Sequence, residues 1–262
     1  MLKRLTEEDV MALRIPFESL RQSPNHLGTI LLITVPMNIL LFVLIYLVLG
    51  EESVLPNQGL LFKVHLAITI ILSIMSIIFA IPSIYRRSQK LQYLVTIIVT
   101  QTLFTFNFFI ITLFISGSGK GLSVDEATVI RIMVILIITG ILLFTITAVR
   151  FWYLLQKGEY RRGSRKDFLR MKMEGKQLIG PVIVAGTGLS LILQNVKISF
   201  MSMDANILTI LVSGPLVYYL CIFILPEQLV LLYCKFRFKS FNYDSEGNLI
   251  PATGEGKIEN EL

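Results

Sequence analysis

Six stretches of the chain are long and apolar enough to cross a bilayer, and nothing else constrains its fold as strongly. They fall at residues 29–49, 60–82, 91–115, 128–149, 178–194 and from 207 to at least 225. A helix needs about 20 residues to cross a hydrocarbon layer of about 30 Å. The stretch at 178–194 is the shortest. Inside hydrocarbon the backbone must satisfy its own hydrogen bonds, which makes such stretches helices. Composition agrees: 54% of residues are apolar and 16% charged, against roughly 25% charged in an ordinary soluble domain. The sequence thus predicts an all-α polytopic integral membrane protein, with six transmembrane helices behind an N-terminal interfacial amphipathic helix. A typical soluble enzyme and a disordered chain are both excluded.

Basic residues alternate between the connections. Lys3, Arg4, Arg14 and Arg21 precede the first span, and Arg86, Arg87 and Lys90 join the second to the third. Nine basic residues lie between the fourth and fifth spans, and Lys235, Arg237, Lys239 and Lys257 follow the sixth. Only Lys63, Lys120, Arg131 and Lys197 fall outside this set. Lys and Arg collect in cytoplasmic loops. The pattern therefore predicts a multi-pass protein of the cell membrane with both termini cytoplasmic, and it supports counting 178–194 as a span. The net charge of +6 is explained by this placement and does not point to nucleic acid. No cleavable signal or lipidation motif is read at the N-terminus.

Three regions follow. Residues 1–28 form a cytoplasmic N-terminal segment. Residues 29–241 form the transmembrane domain with a basic cytoplasmic loop at 150–177. Residues 242–262 form a polar tail expected to be flexible. Within the first, residues 6–20 predict an amphipathic helix. Thr6 stands at its cap, Val10, Leu13, Phe17 and Leu20 recur at helical spacing, and Pro16 introduces a kink. It reads either as a docking or lipid-sensing element or as a plain surface lead-in. The loop 150–177 opens on Phe151, Trp152 and Tyr153, an interfacial aromatic belt. Its Arg161, Arg162, Arg165, Lys166 and Arg170 are candidates for contact with a partner or with anionic inner-leaflet lipids.

Chemical signatures are missing where an enzyme would need them. His26 and His65 belong to opposite membrane sides, and no paired-His motif exists, so no metal site is expected. The five Asp residues are scattered, which leaves no cluster to hold Mg²⁺ for diphosphate chemistry. SGSGKG at 116–121 lacks the spacing of a phosphate loop. GTGLS at 186–190 lacks the second glycine and the base of a hydrolase elbow. Cys221 and Cys234 share one helical pattern 13 residues apart, too far to pair with each other. The chain is read as a non-enzyme with no cofactor.

Polar residues inside the spans supply the remaining candidates. Thr96, Thr100 and Asn107 share one edge of the third span. Gln101, Thr105 and Thr112 share a second edge, about 120° away at 100° per residue. Such edges either line a substrate path or bond two neighbouring helices. Gly186, Gly188, Gly214 and Pro215 either open helices at a transport site or allow close approach. Lys63, His65 and Arg131 stand near outer span ends, where they line a vestibule or snorkel to the headgroups. Glu227 follows Pro226. The reading preferred here is a bend at Pro226 followed by an interfacial amphipathic helix that ends in basic residues, which leaves Glu227 interfacial. If the helix instead runs on, Glu227 lies in the bilayer and needs a partner.

Two functions fit this pattern. One is a permease-like transport subunit acting with a cytoplasmic ATPase or another partner, which predicts a docking helix within 150–177. The alternative is a non-enzymatic accessory, assembly or immunity protein that binds another membrane protein or peptide.

Overall fold

Large apolar side chains point outward from the helices, and polar ones are turned inward. Leu40, Leu47, Ile71, Ile141, Ile146 and Val149 are more than half exposed, whereas Asn38, His65, Ser76, Asn107 and Ser116 are buried. That inversion suits hydrocarbon as solvent: an apolar face costs nothing there, and polar groups must find partners inside. The computed structural model describes residues 5–50, 53–118, 122, 124–174 and 205–252. Among them the chain is helical, with two isolated β-bridges and no strands.

A tight 3-10 helix, Glu8–Arg14, leads into one α-turn, Ile15–Glu18. Long helices follow: α1 (Pro24–Leu49), α2 (Gln58–Ala80), α3 (Gln89–Ser116) and α4 (Glu126–Gln156). A ten-residue helix, α5 (Arg165–Glu174), comes next, and α6 (Ala205–Arg237) ends the bundle. Among the described residues, five helices are thus long and apolar enough to cross a membrane. The expected fifth span, 178–194, lies outside the described residues together with Gly186 and Gly188. The starts are readable locally. Ser23 caps α1 by accepting from His26 N, with Pro24 in the first turn, where its missing N–H costs nothing. Ser164 accepts from Asp167 N at 3.1 Å while Asp167 accepts from Gly163 N at 2.9 Å, which fixes the entry to α5.

Helix α3 is central. It packs against α1, α2 and α6, and α4 packs mainly on α6 while also touching the end of α3. Gln92 of α3 donates to Pro24 O at 2.8 Å and to Phe79 O at 3.1 Å, which holds the start of α1 and the end of α2 against the start of α3. At the other end, Val54 N donates to Gly117 O at 3.0 Å. A Cβ at Gly117 would stand 3.0–3.2 Å from Ser53, Val129 and Val54, which explains a glycine there. Leu211 of α6 packs in the same cluster as Ile45, Ile115 and Val129. The first described residues of α6 thus lie at the end where α1 and α3 finish and α4 begins.

The opposite, basic end gathers the N-terminal segment, Tyr160, the end of α6 and the tail into one cluster. Four expectations change here. Residues 6–20 form no single surface helix. Val10, Leu13 and Phe17 are buried in protein, Leu20 is exposed at φ 61°, and Pro16 starts the α-turn instead of kinking a helix. The tail is tied down through Ala252. Tyr243 OH donates to Phe17 O at 2.7 Å, and Gln89 brackets the Tyr243 backbone at 2.8 and 2.9 Å. Helix α4 runs seven residues past its expected end, through Phe151–Tyr153 to Gln156. Finally, α6 runs as one helix through Pro226 to Arg237, where a bend between two helices is expected.

Candidate functional site

Proline removes one backbone donor and leaves a carbonyl one turn earlier without its usual partner. In α6 that carbonyl belongs to Ile222, and Gln101 of α3 donates to the carbonyl just before it, Cys221 O, at 3.3 Å. The same Gln101 amide donates to Gln228 Oε1 at 3.1 Å, and Thr105 donates to Gln101 Oε1 at 2.6 Å. A neighbouring helix thus supplies polar partners around the proline, a common reason that proline is tolerated in a spanning helix. Between these contacts sits Glu227. Its carboxylate meets Arg170 of α5 at 2.6 Å. Glu227 is about a third exposed at this basic end, and the loop after α4 provides its partner.

Arg170 is itself positioned by aromatic packing. It lies over the Tyr160 ring at 5.3 Å, with Lys166 over the same ring at 4.4 Å and donating to Tyr160 OH at 3.2 Å. Tyr160 packs edge-on against Phe151 at 5.0 Å. Burial pushes the Lys166 ammonium below its usual range and the Tyr160 phenol above its own. Arg161 donates to Asp9 through Nε at 2.9 Å and through Nη2 at 2.6 Å. Burial alone would raise the Asp9 carboxyl, but the Thr6 hydrogen bonds and Arg161 outweigh it and hold the group below the ordinary carboxylate value. Arg162 pairs with Glu18 and reaches Asp167 at 3.7 Å. Of the five basic candidates in this loop, four are therefore engaged inside the protein. Arg165 stays exposed at the start of α5.

A second polar cluster lies between α1, α2 and α3. His65 of α2 is 1% exposed, with a ring nitrogen 3.3 Å from Tyr46 OH. Phe42, Tyr46 and Phe106 surround the imidazole at 5.1 to 5.6 Å between ring centres. Nearby, Asn107 donates to Asn38 Oδ1 at 3.3 Å, and Asn38 donates to Thr34 O at 3.1 Å. Tyr46 lies in a widened π-type turn of α1, Leu44–Leu49, and Phe106 in another of α3, Thr102–Phe106. Such turns re-aim side chains within a helix and recur at functional sites. His65 is held between the two.

The two edges of α3 face different neighbours. Asn107 bonds to α1, while Gln101 and Thr105 join α6. Thr112 stands against Gly214, where a Cβ would collide with its hydroxyl, and Pro215 follows in the same turn. Thr100 bonds only its own helix, to Thr96 O at 2.7 Å and Ile97 O at 3.1 Å. Of the two readings for Lys63, His65 and Arg131, a shared vestibule or separate snorkelling side chains, the structure brings no two of the three into contact by any described bond. Lys63 and Arg131 are exposed on separate helices, α2 and α4, and His65 is enclosed. The sequence reading missed Asn38, Tyr46, Gln228 and the buried Lys235. Asn38 and Gln228 were the detectable ones, as amides inside apolar runs. No family model, curated protein or solved structure matches the chain.

Proposed function

We propose that this chain is a permease-like membrane subunit driven by a nucleotide-hydrolysing partner, which docks at the basic end on α5. One observation carries the reading: the Arg170–Glu227 ion pair at 2.6 Å joins the short helix of the basic loop to the proline-broken stretch of α6. From there Gln228 reaches Gln101 of α3 at 3.1 Å. A push on α5 would thus act on α6 beside Pro226 and on the central helix. The outer edge of α5 leaves Phe168, Leu169 and Met171 exposed, at 64%, 45% and 47%. Exposed Arg165 and Lys172 flank them and suit an acidic rim on the partner.

The topology proposed with this reading has six crossings. The N-terminal segment, α5 and the tail share one end, whereas α4 finishes and α6 begins at opposite ends. The positive-inside rule makes the shared end cytoplasmic. In the same reading the protein belongs to a cell membrane.

The test is gentle-detergent purification of the tagged full chain, with co-purifying proteins identified by mass spectrometry. Recovery of a nucleotide-hydrolysing subunit is expected, together with its loss from the Phe168→Asp, Met171→Asp double variant. A second reading, an accessory or immunity protein, is favoured by the way Asn107 and Gln101, one on each edge of α3, bond neighbouring helices. Recovery of another membrane protein or peptide without a hydrolase would support it and overturn the first. Recovery of this chain alone would overturn both.

A further inference from the structure

At the basic end a groove of about 510 Å³ opens between the α2–α3 connection and the end of α6. Arg86, Arg87, Ser88, Gln89, Lys90, Leu91, Phe236 and Asn242 line it. We propose that this groove binds the phosphate headgroup of an anionic phospholipid. Charge is the first argument. Elsewhere at this end cations meet carboxylates: Arg161 meets Asp9, Arg162 meets Glu18, and Arg170 meets Glu227. No carboxylate lines the groove, and no ion pair is found for Arg86, Arg87 or Lys90 among the described residues. Arg86 and Arg87 are exposed, and Lys90 is half-buried, held 5.5 Å above the Phe236 ring. Three cations in one concavity with no carboxylate among the described residues suit an anion from outside.

The walls explain why they stay available. Gln89 and Asn242 spend their amides on the tail backbone and on Lys235 O and Phe238 O, which fixes the back of the groove. The N-terminus of α3 opens on the same space without a side-chain cap and adds its positive field.

The rim decides between a lipid and a free anion. Leu91 and Phe236 are 48% and 53% exposed at the mouth. They stand where α2 leaves the apolar layer and α3 enters it. A soluble phosphate gains nothing from them, whereas the glycerol and upper acyl chain of a lipid would cover both. The volume also falls within the range of small-ligand sites.

The experiment is native mass spectrometry of the full chain released from bilayers of equal phosphatidylglycerol and phosphatidylcholine. Wild type is expected to retain phosphatidylglycerol preferentially. Preference should fall by about fivefold for each cation removed in Arg87→Gln and in the Arg86→Gln, Arg87→Gln, Lys90→Gln variant, as about 1 kcal/mol per basic residue at an anionic surface implies. The Lys63→Gln, Arg131→Gln control removes two cations elsewhere and should leave it unchanged. If the triple variant does not fold, Arg87→Gln alone decides. Unchanged preference in the groove variants overturns the proposal, and so does an equal loss in the control. Displacement of the lipid by excess inorganic phosphate overturns the lipid assignment and leaves a free-anion site.

Discussion

Single side chains carry the polar contacts that the apolar helices cannot supply. Asn107 donates to Asn38 Oδ1 across α3 and α1 at 3.3 Å, while its own buried Oδ1 finds no partner among the described residues. Interhelical hydrogen bonds of this kind average about 0.6 kcal/mol and reach about 1.7. Asn107→Ala should therefore lower thermal stability in detergent by a like amount, with the Asn38→Ala, Asn107→Ala pair costing less than the sum of the two. An additive pair would mean that the two amides do not interact. Asp9 gives a pH dependence. Its folded-state pKa is held below its ordinary value. Its contribution is thus complete above the unfolded value of about 3.9 and is lost as pH falls through the lower folded value. Asp9→Asn should remove that acid-side loss from a stability–pH profile. A profile with the same acid limb as wild type would exclude Asp9 as its source.

Helices are where the sequence was most and least legible. The first four spans were visible because long apolar runs leave few alternatives, and their starts lie within five residues of the expected positions. The end of α6 was misread because proline was given its meaning in water. In a bundle a helix can run on past a proline where a neighbour supplies polar contacts beside it, as Gln101 does at Cys221 O and Gln228. The N-terminal stripe of Val10, Leu13 and Phe17 was read correctly as apolar, but periodicity cannot tell a membrane surface from a protein interior. The polar edges of α3 were legible, and their partners were not, because pairing depends on which helices become neighbours. The α3–α6 contact offers a test. Gly214→Ala places a methyl against Thr112, which can turn away only by losing its 2.8 Å bond to Phe108 O. Overpacking of this kind costs about 1–3 kcal/mol, and adding Thr112→Ala should restore most of it. Failure of the second change to rescue the first would show that the clash lies elsewhere.

At the scale of the molecule, both ends of the chain and the loop after α4 converge on one cap. Lys235 lies within it, 1% exposed, donating to Phe241 O at 3.0 Å and standing over Phe17 at 4.8 Å and Tyr93 at 5.5 Å. Arg14 reaches Ser240 O at 3.1 Å and Ile250 O at 2.8 Å. The segments before α1 and after α6 are thereby joined beside the loop that holds Arg170. This convergence turns the charge alternation in the sequence into a mechanical proposal, because a partner seated on α5 would also bear on both terminal segments. Cooperative loss is expected: Lys235→Ala should expose the tail and the N-terminal segment to limited proteolysis together. Cleavage of one segment with the other protected would argue against a common cap. Sidedness tests the arrangement most directly. In a Cys221→Ala, Cys234→Ala background, single cysteines at Ser19, Arg165 and Lys239, and at Gly59 and Glu126, are labelled in sealed vesicles with an impermeant maleimide. The shared cap requires the first three to lie on one face and the last two on the other; labelling of the Ser19 and Lys239 positions from opposite faces would contradict it.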